Sequence, residues 1–307
     1  MRIGVIDIGS NSIKLLVAEM GSSLAALYQT TLETRISSGM GEKLPVLSTS
    51  AMQAATRAVV QLSKEAERFH PEAFSIVATS AVRDAVNRDA FIDRIEKATG
   101  HPLQVLSGWQ EAAYIGRAIT TDPAFEQYPH FTLIDLGGGS LECIRLRDGN
   151  IVAKTSYQLG AVRLMERFVK EPHQPLEDQT AKRIADYVRR KVTQSDFTHL
   201  YNQKFLAATG GAVNVARAIR ASWLNQPIEE TSPVLTKSYL QFLKEEVCTA
   251  SLEDRQRIAE LPAARADIMP VACIILLSLA EIAGADRFVH SLHNLRFGIA
   301  AEMGKSV

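Results

Sequence analysis

Apolar residues in this chain fall into short branched runs broken by polar turns, and these runs alternate with longer stretches of helical period. Near the start, "IGVIDI" meets "GSNS" and then "IKLLVA". This pattern predicts strands over 2–8 and 13–18 around a tight turn, where Gly9 and Asn11 tolerate unusual backbone angles. A third strand near 29–36 follows. From Leu47, "LSTSAMQAATRAVVQLSKEAERFHP" spaces its apolar residues three and four apart, which predicts a helix ending before Pro71. "AFSIVATSAVRDAVNRDAFIDRIEKATG" predicts a short strand, a hydroxyl-rich loop and a helix stopped near Gly100. "PLQVLSGWQEAAYIGRAI" repeats that order, with a strand over 103–106 and a helix after Ser107-Gly108. Helices over 177–192 and 239–247, a strand over 204–208, a glycine turn feeding a helix in "ATGGAVNVARAIRASWL", and a closing strand and helix complete an α/β alternation.

The opening pattern occurs twice. In "FTLIDLGGGSLECIRL", Asp135, Gly137 and Ser140 each stand 128 positions after Asp7, Gly9 and Ser12, in the same order D-x-G-x-x-S. Branched apolar residues precede both, and a strand-like run follows both. Duplication of an α/β unit is the simplest account, with Pro123 to His130 as the connection into the second half.

Composition narrows the class. A chain of 307 residues, 46% hydrophobic, can bury two ordinary cores. Its 34 Lys plus Arg balance 34 Asp plus Glu, so no global basic field draws in a nucleic acid polymer, and an anion must be held by locally placed donors. Three scattered cysteines fit a reducing compartment rather than a disulfide framework or a cysteine zinc site. The amino terminus reaches Asp7 too soon for the apolar core of a signal peptide, so a cytoplasmic location is expected. The most apolar segment, 269–285, is interrupted by Pro270, Ser278 and Glu281 and falls short of the roughly 20 residues of a membrane span. It reads as a helix buried in a core, with no membrane partner.

The candidate chemistry gathers at the turns. A strand-end Asp beside a glycine turn can hold a divalent ion or its waters while backbone N–H groups face phosphate oxygens; either Asp alone also serves as an ordinary turn cap. Two such units would set two carboxylates and two amide-lined turns across a cleft. Glu142 either joins that acidic patch or faces solvent from the following strand. Neither loop is a dinucleotide fingerprint opening a helix, and no G-x-x-x-x-G-K-[ST] loop occurs. Arg83 lies between a strand and a helix, where its fork could clamp a phosphoryl group or pair with Asp84 or Asp89. Glu111, in the first turn of a helix, is either a favourable partner of the helix dipole or, beside a phosphoanhydride, a base for attacking water. "TGGAVNVAR" offers another amide-rich turn, with Arg217 or Arg163 as anion contacts or ion-pair residues. His290 and His293 lack an H-E-x-x-H setting, so zinc is not expected. Trp109 and Trp223 read as packing residues.

The ordered set "DIGSNSIKLLV", "ATSAVRDAVNRDAF", "SGWQEA", "IDLGGGSLE", "LGAVRLMERF" and "ATGGAVNVARA", extended by "LPAARADIMPVACIIL" and "LHNLRFGIA", resembles the exopolyphosphatase and guanosine pentaphosphate phosphatase family, a branch of the superfamily of actin, sugar kinases and chaperone ATPases. The resemblance implies an α/β fold of two ribonuclease-H-like, actin-like ATPase domains of mixed sheet plus helices, near 1–124 and 125–307, with an interdomain cleft and the last helix free to return to the first domain. It implies Mg²⁺-dependent hydrolysis of a terminal phosphoanhydride, with Glu111 as base and Asp7, Asp135 and Glu142 organising metal and water. Gly9, Ser10, Asn11 and Ser12, then Gly137, Gly138, Gly139 and Ser140, then Gly210 and Gly211, match phosphate-facing loops, and Arg83 matches a phosphate-binding arginine. Inorganic polyphosphate is the expected substrate and guanosine pentaphosphate the close alternative. A homodimer is compatible with the family. Long members carry an extra helical region, so a shorter substrate is expected here. Lys14, Ala212, Ala272 and Phe297 depart from the family pattern, where Arg, a hydroxyl, Gly and an acid are usual. A phosphotransferase and a non-catalytic polyphosphate or nucleotide sensor are the competing classes; the retained Glu111, Asp135 and Glu142 weigh against the sensor.

Overall fold

The computed structural model describes residues 1–41 and 44–305. The chain forms two compact units, one built from Met1–Glu126 with His293–Val307 and the other from Gln127–Leu292. The first contains β1 (Arg2–Ile8), β2 (Ser12–Met20), β3 (Leu24–Glu33), α1 (Thr49–Glu67), β4 (Ala73–Ala78), α2 (Ser80–Asp84), α3 (Arg88–Thr99), β5 (Leu103–Val105) and α4 (Gly108–Ile119). Its sheet runs β3-β2-β1-β4-β5. The first three strands form an antiparallel meander, and β4 and β5 add in parallel to β1, so each parallel step is crossed by helix. β1 is buried from Ile3 to Ile8, the profile of a central strand covered on both faces.

The second unit contains β6 (His130–Leu136), β7 (Leu141–Arg147), β8 (Asn150–Tyr157), α5 (Ala161–Phe168), α6 (Asp178–Thr193), β9 (Leu206–Thr209), α7 (Gly211–Trp223), β10 (Val234–Thr236), α8 (Lys237–Thr249), α9 (Leu252–Gln256), α10 (Met269–Ala283) and β11 (Arg287–His290). Its sheet runs β10-β11-β9-β6-β7-β8. Stripped of the antiparallel edge strand β10, this is the first sheet again: a meander, β6-β7-β8, with β9 and β11 added in parallel to β6. The repeated turn in the sequence therefore marks a repeated topology. α10 is buried along nearly its whole length and packs on α6 and α8, which accounts for its unbroken apolar run. Among the described residues no helix is long and apolar enough to cross a membrane.

α11 (Leu295–Lys305) belongs to the first unit, where it packs on α4, β1 and β2. Gly298 is needed there, because a Cβ would overlap the Tyr114 backbone of α4.

Candidate active site

In the first unit, β1 and β2 pair Asp7 with Lys14 and Ile8 with Ile13, and the turn between them closes through Gly9 N–H to Ser12 O at 3.0 Å. A Cβ on Gly9 would sit 3.1 Å from that same oxygen. Ser10 and Asn11 anchor the chain after β3. Ser10 O accepts from Ser37 N–H and Oγ, and Asn11 O accepts from the amides of Thr34 and Arg35. The Asn11 side chain is committed as well, donating to Glu33 Oε2 at 2.6 Å and accepting from Arg35 Nε at 3.1 Å. Asp7 is different, for its Oδ1 is buried without a hydrogen-bond partner. Burial raises its pKa, although Lys14 and Arg296 pull the other way. Arg296 reaches from α11 to Leu15 O and Gln29 Oε1, and burial lowers its pKa to about 10 while the Asp7 charge raises it.

Glu111 lies in the first turn of α4, buried, behind a capping box in which Ser107 Oγ accepts from Gln110 N–H and Gln110 Oε1 accepts from Ser107 N–H. Arg83, on α2, donates through Nη1 to Glu111 Oε2 at 2.8 Å and to Leu106 O at 2.9 Å. The Arg83 to Asp84 approach, Nε to Oδ1, is only 3.9 Å. Arg83 is thus held inward on Glu111 rather than in a surface pair.

The second unit repeats the turn. Gly137 N–H donates to Ser140 O at 3.0 Å, and β6 and β7 pair Asp135 with Glu142, the positions equivalent to Asp7 and Lys14. One hairpin therefore sets a lysine across from its aspartate, and the other sets a second carboxylate. Glu142 is buried and accepts from Ser156 Oγ at 2.7 Å, so the solvent-facing alternative is excluded. The amides of Ala161, Val162 and Arg163, at the start of α5, donate to the carbonyls of Gly137 and Gly138, and Arg163 Nε donates to Gly139 O at 2.8 Å. Those bonds occupy the carbonyls of Gly137, Gly138 and Gly139. Gly210, at φ +101°, lies against this hairpin: a Cβ there would come 2.5 Å from Asp135 Oδ1. A Cβ on Gly211 would overlap the Arg265 guanidinium.

The sequence profile of the Ppx/GppA phosphatase family matches residues 15–306. The chain belongs to that family. It is 31% identical to Exopolyphosphatase 2 of Mycobacterium tuberculosis, over 98% of both chains. It is 28% identical to the guanosine-5'-triphosphate,3'-diphosphate pyrophosphatase of Vibrio vulnificus, over 97% of this chain but 58% of that protein. The crystal structure of an exopolyphosphatase from Cytophaga hutchinsonii superposes with a TM-score of 0.89 at 22% identity, covering 100% of this chain and 99% of the other. The Ppx/GppA member from Aquifex aeolicus superposes with a TM-score of 0.81 at 23% identity, covering 100% and 98%. These likenesses establish the two-domain actin-like fold.

On this Ppx/GppA framework the structure joins Arg83 to Glu111 and sets Asp135 opposite Glu142, with Gly210 packed on the latter hairpin. Arg163 and Arg217 both donate to backbone carbonyls of their own unit. Arg217 Nη2 donates to Thr231 O at 2.6 Å, beside His290, whose pKa falls to about 3 through burial and the Arg217 charge. Trp223 packs as expected, half-buried in edge contacts with Tyr239 and Phe242, whereas Trp109 is 66% exposed. Trp109 lies near a helix start, where a bulky apolar residue need not face the core. Two residues without an assigned role, Arg265 and Arg296, are buried beside the glycine pair and Asp7. The Gly-Gly dipeptide signalled a close approach at 210–211, but nothing local named the guanidinium that makes it. Among the described residues, no group of three or more His, Cys, Asp or Glu forms a ready-made metal cage.

Proposed function

We propose that this protein is an exopolyphosphatase, which hydrolyses the terminal phosphoanhydride of inorganic polyphosphate and releases orthophosphate. The observation that carries the reading is Glu111, a buried carboxylate at a helix start, held by Arg83 at 2.8 Å in a family whose Exopolyphosphatase 2 relative matches this chain end to end. Glu111 takes a proton from water as its oxygen bonds to the terminal phosphorus. The bridging P–O bond breaks, and the shortened polyphosphate leaves with the electron pair. In the second unit, the amides of Gly138 and Gly139 donate to phosphoryl oxygens.

The donor set suits Mg²⁺, which is usually held by one or two carboxylates together with waters and phosphate oxygens rather than by an all-protein cage. Asp135 and Glu142, paired across the second unit's hairpin, would hold it. When bound, the ion would offset charge on the phosphoryl and leaving oxygens. Three buried free thiols, Cys143, Cys248 and Cys273, agree with a cytoplasmic setting. The matches to guanosine-5'-triphosphate,3'-diphosphate pyrophosphatases favour guanosine pentaphosphate as the second reading.

The test supplies purified protein and Mg²⁺ with polyphosphates of defined length, guanosine pentaphosphate and ATP, following phosphate release and product length. Polyphosphate should shorten from its end, and Glu111→Gln should slow release by about 10²- to 10⁴-fold while keeping fold and binding. Faster turnover of guanosine pentaphosphate would select the second reading, acceptor-dependent ADP formation a phosphotransferase, and ligand binding without release a sensor.

A further inference from the structure

We infer that Arg83 acts on the reaction through Glu111, as a positioning residue for the base, and offers phosphate only its remaining edge. This rests on the reading of Glu111 as base. A guanidinium that clamps phosphate in bidentate fashion needs two parallel N–H groups free on one edge. Arg83 does not present the edge that contains Nη1: both hydrogens of that nitrogen are engaged, with Glu111 Oε2 at 2.8 Å and Leu106 O at 2.9 Å. Nε faces Asp84 Oδ1 at 3.9 Å, beyond hydrogen-bond length. Neither Nε nor Nη2 donates to a protein atom within hydrogen-bond length among the described residues, so the Nε–Nη2 edge alone is left for a phosphoryl group.

The two engaged bonds share a destination. Leu106 immediately precedes Ser107, the N-cap of α4, and Glu111 lies one turn further on, so both bonds fall on the stretch that launches the base's helix. That backbone is already fixed, because Leu106 N–H donates to Ala78 O at 2.9 Å and the capping box closes the first turn. The backbone of Arg83 is equally fixed, its N–H donating to Thr79 O at 2.9 Å and Thr79 N–H to Ile8 O at 3.2 Å. With both main chains pinned, the freedom left is the Glu111 side-chain rotamer, and Nη1 selects it. Charge agrees with this division. The guanidinium already stands near two carboxylates, Glu111 and Asp84, so a phosphate would be a third anion on one cation.

The experiment measures kcat and KM on polyphosphate of one defined length with Mg²⁺, for wild type, Arg83→Gln, Arg83→Lys, Glu111→Gln and the Arg83→Gln/Glu111→Gln double variant. Misplacing the base should lower kcat of Arg83→Gln by about 10- to 100-fold, with KM within about threefold of wild type. Arg83→Lys should recover part of that kcat. In the Glu111→Gln background, Arg83→Gln should cost no more than about threefold further, because its target is already gone. A rise in KM with kcat unchanged, in both backgrounds, would overturn the inference and leave Arg83 a phosphate contact only. If Arg83→Gln fails to fold, the kcat against KM split of Arg83→Lys decides. Wild-type turnover by Glu111→Gln alone would refute the base reading itself, and the positioning role with it; that failure is read from a variant in which Arg83 is intact.

Discussion

Asp7 pays a folding cost for its place: desolvation raises its pKa above 3.8 against the pull of Lys14 and Arg296. A carboxyl whose folded pKa is raised favours the folded state below its unfolded pKa and loses that contribution as pH rises through the folded value. At neutral pH, above the unfolded value, the buried carboxyl therefore weighs against the fold. Asp7→Asn should melt at a higher temperature than wild type at pH 7.5, while losing most phosphate release; a lower melting temperature would show that the carboxylate is structural. His290 carries the opposite sign. Its folded pKa of about 3 lies below the unfolded 6.5, so the unfolded chain takes up a proton that the folded chain refuses. Stability should fall as pH drops below 6.5, by up to roughly 1.4 kcal/mol per pH unit from this group, in urea titrations at successive pH values. Its ¹⁵N shifts should report a neutral imidazole at pH 5.

At the scale of elements, the two hairpins are one device used twice, and the second is packed against a glycine from another element, Gly210. Gly210→Ala meets both a left-handed φ and the Asp135 carboxylate, and should destabilise the second unit by about 1–3 kcal/mol or more. Ser107→Ala removes one half of the α4 capping box and should cost about 1 kcal/mol in thermal unfolding. The hairpins were legible in the sequence because a strand-end acid, a glycine and a hydroxyl recur at fixed spacing, and local turn chemistry imposes that order. The helix stop at Gly100 was legible for a related reason, as its φ of +72° is one that glycine accepts. β3 begins at Leu24, ahead of the expected 29–36, because its half-exposed face gives only a weak alternating pattern. Arg265 and Arg296 were silent because their partners lie tens or hundreds of positions away, and no local period encodes such a meeting. Glu142 was ambiguous until its strand register set it opposite Asp135.

At the scale of the whole molecule, one short segment has a large effect. Deleting residues 293–307 removes buried Leu295, Phe297, Ile299 and Ala300 from the first unit, together with the Arg296 bond to Leu15 O. The loss of that apolar burial should lower the first unit's melting temperature by about 10 °C or more, seen by calorimetry as a transition displaced to lower temperature. Biosynthesis feels the same arrangement as a problem of order. Nascent domains ordinarily fold in the sequence in which they leave the ribosome. Here residues 127–292 emerge as one continuous piece holding their entire sheet, whereas residues 1–126 were made earlier and still lack α11. The part translated first is thus completed last: until residues 295–305 are made, its five-stranded sheet lacks the helix that packs on β1 and β2, and that apolar face is available to chaperones.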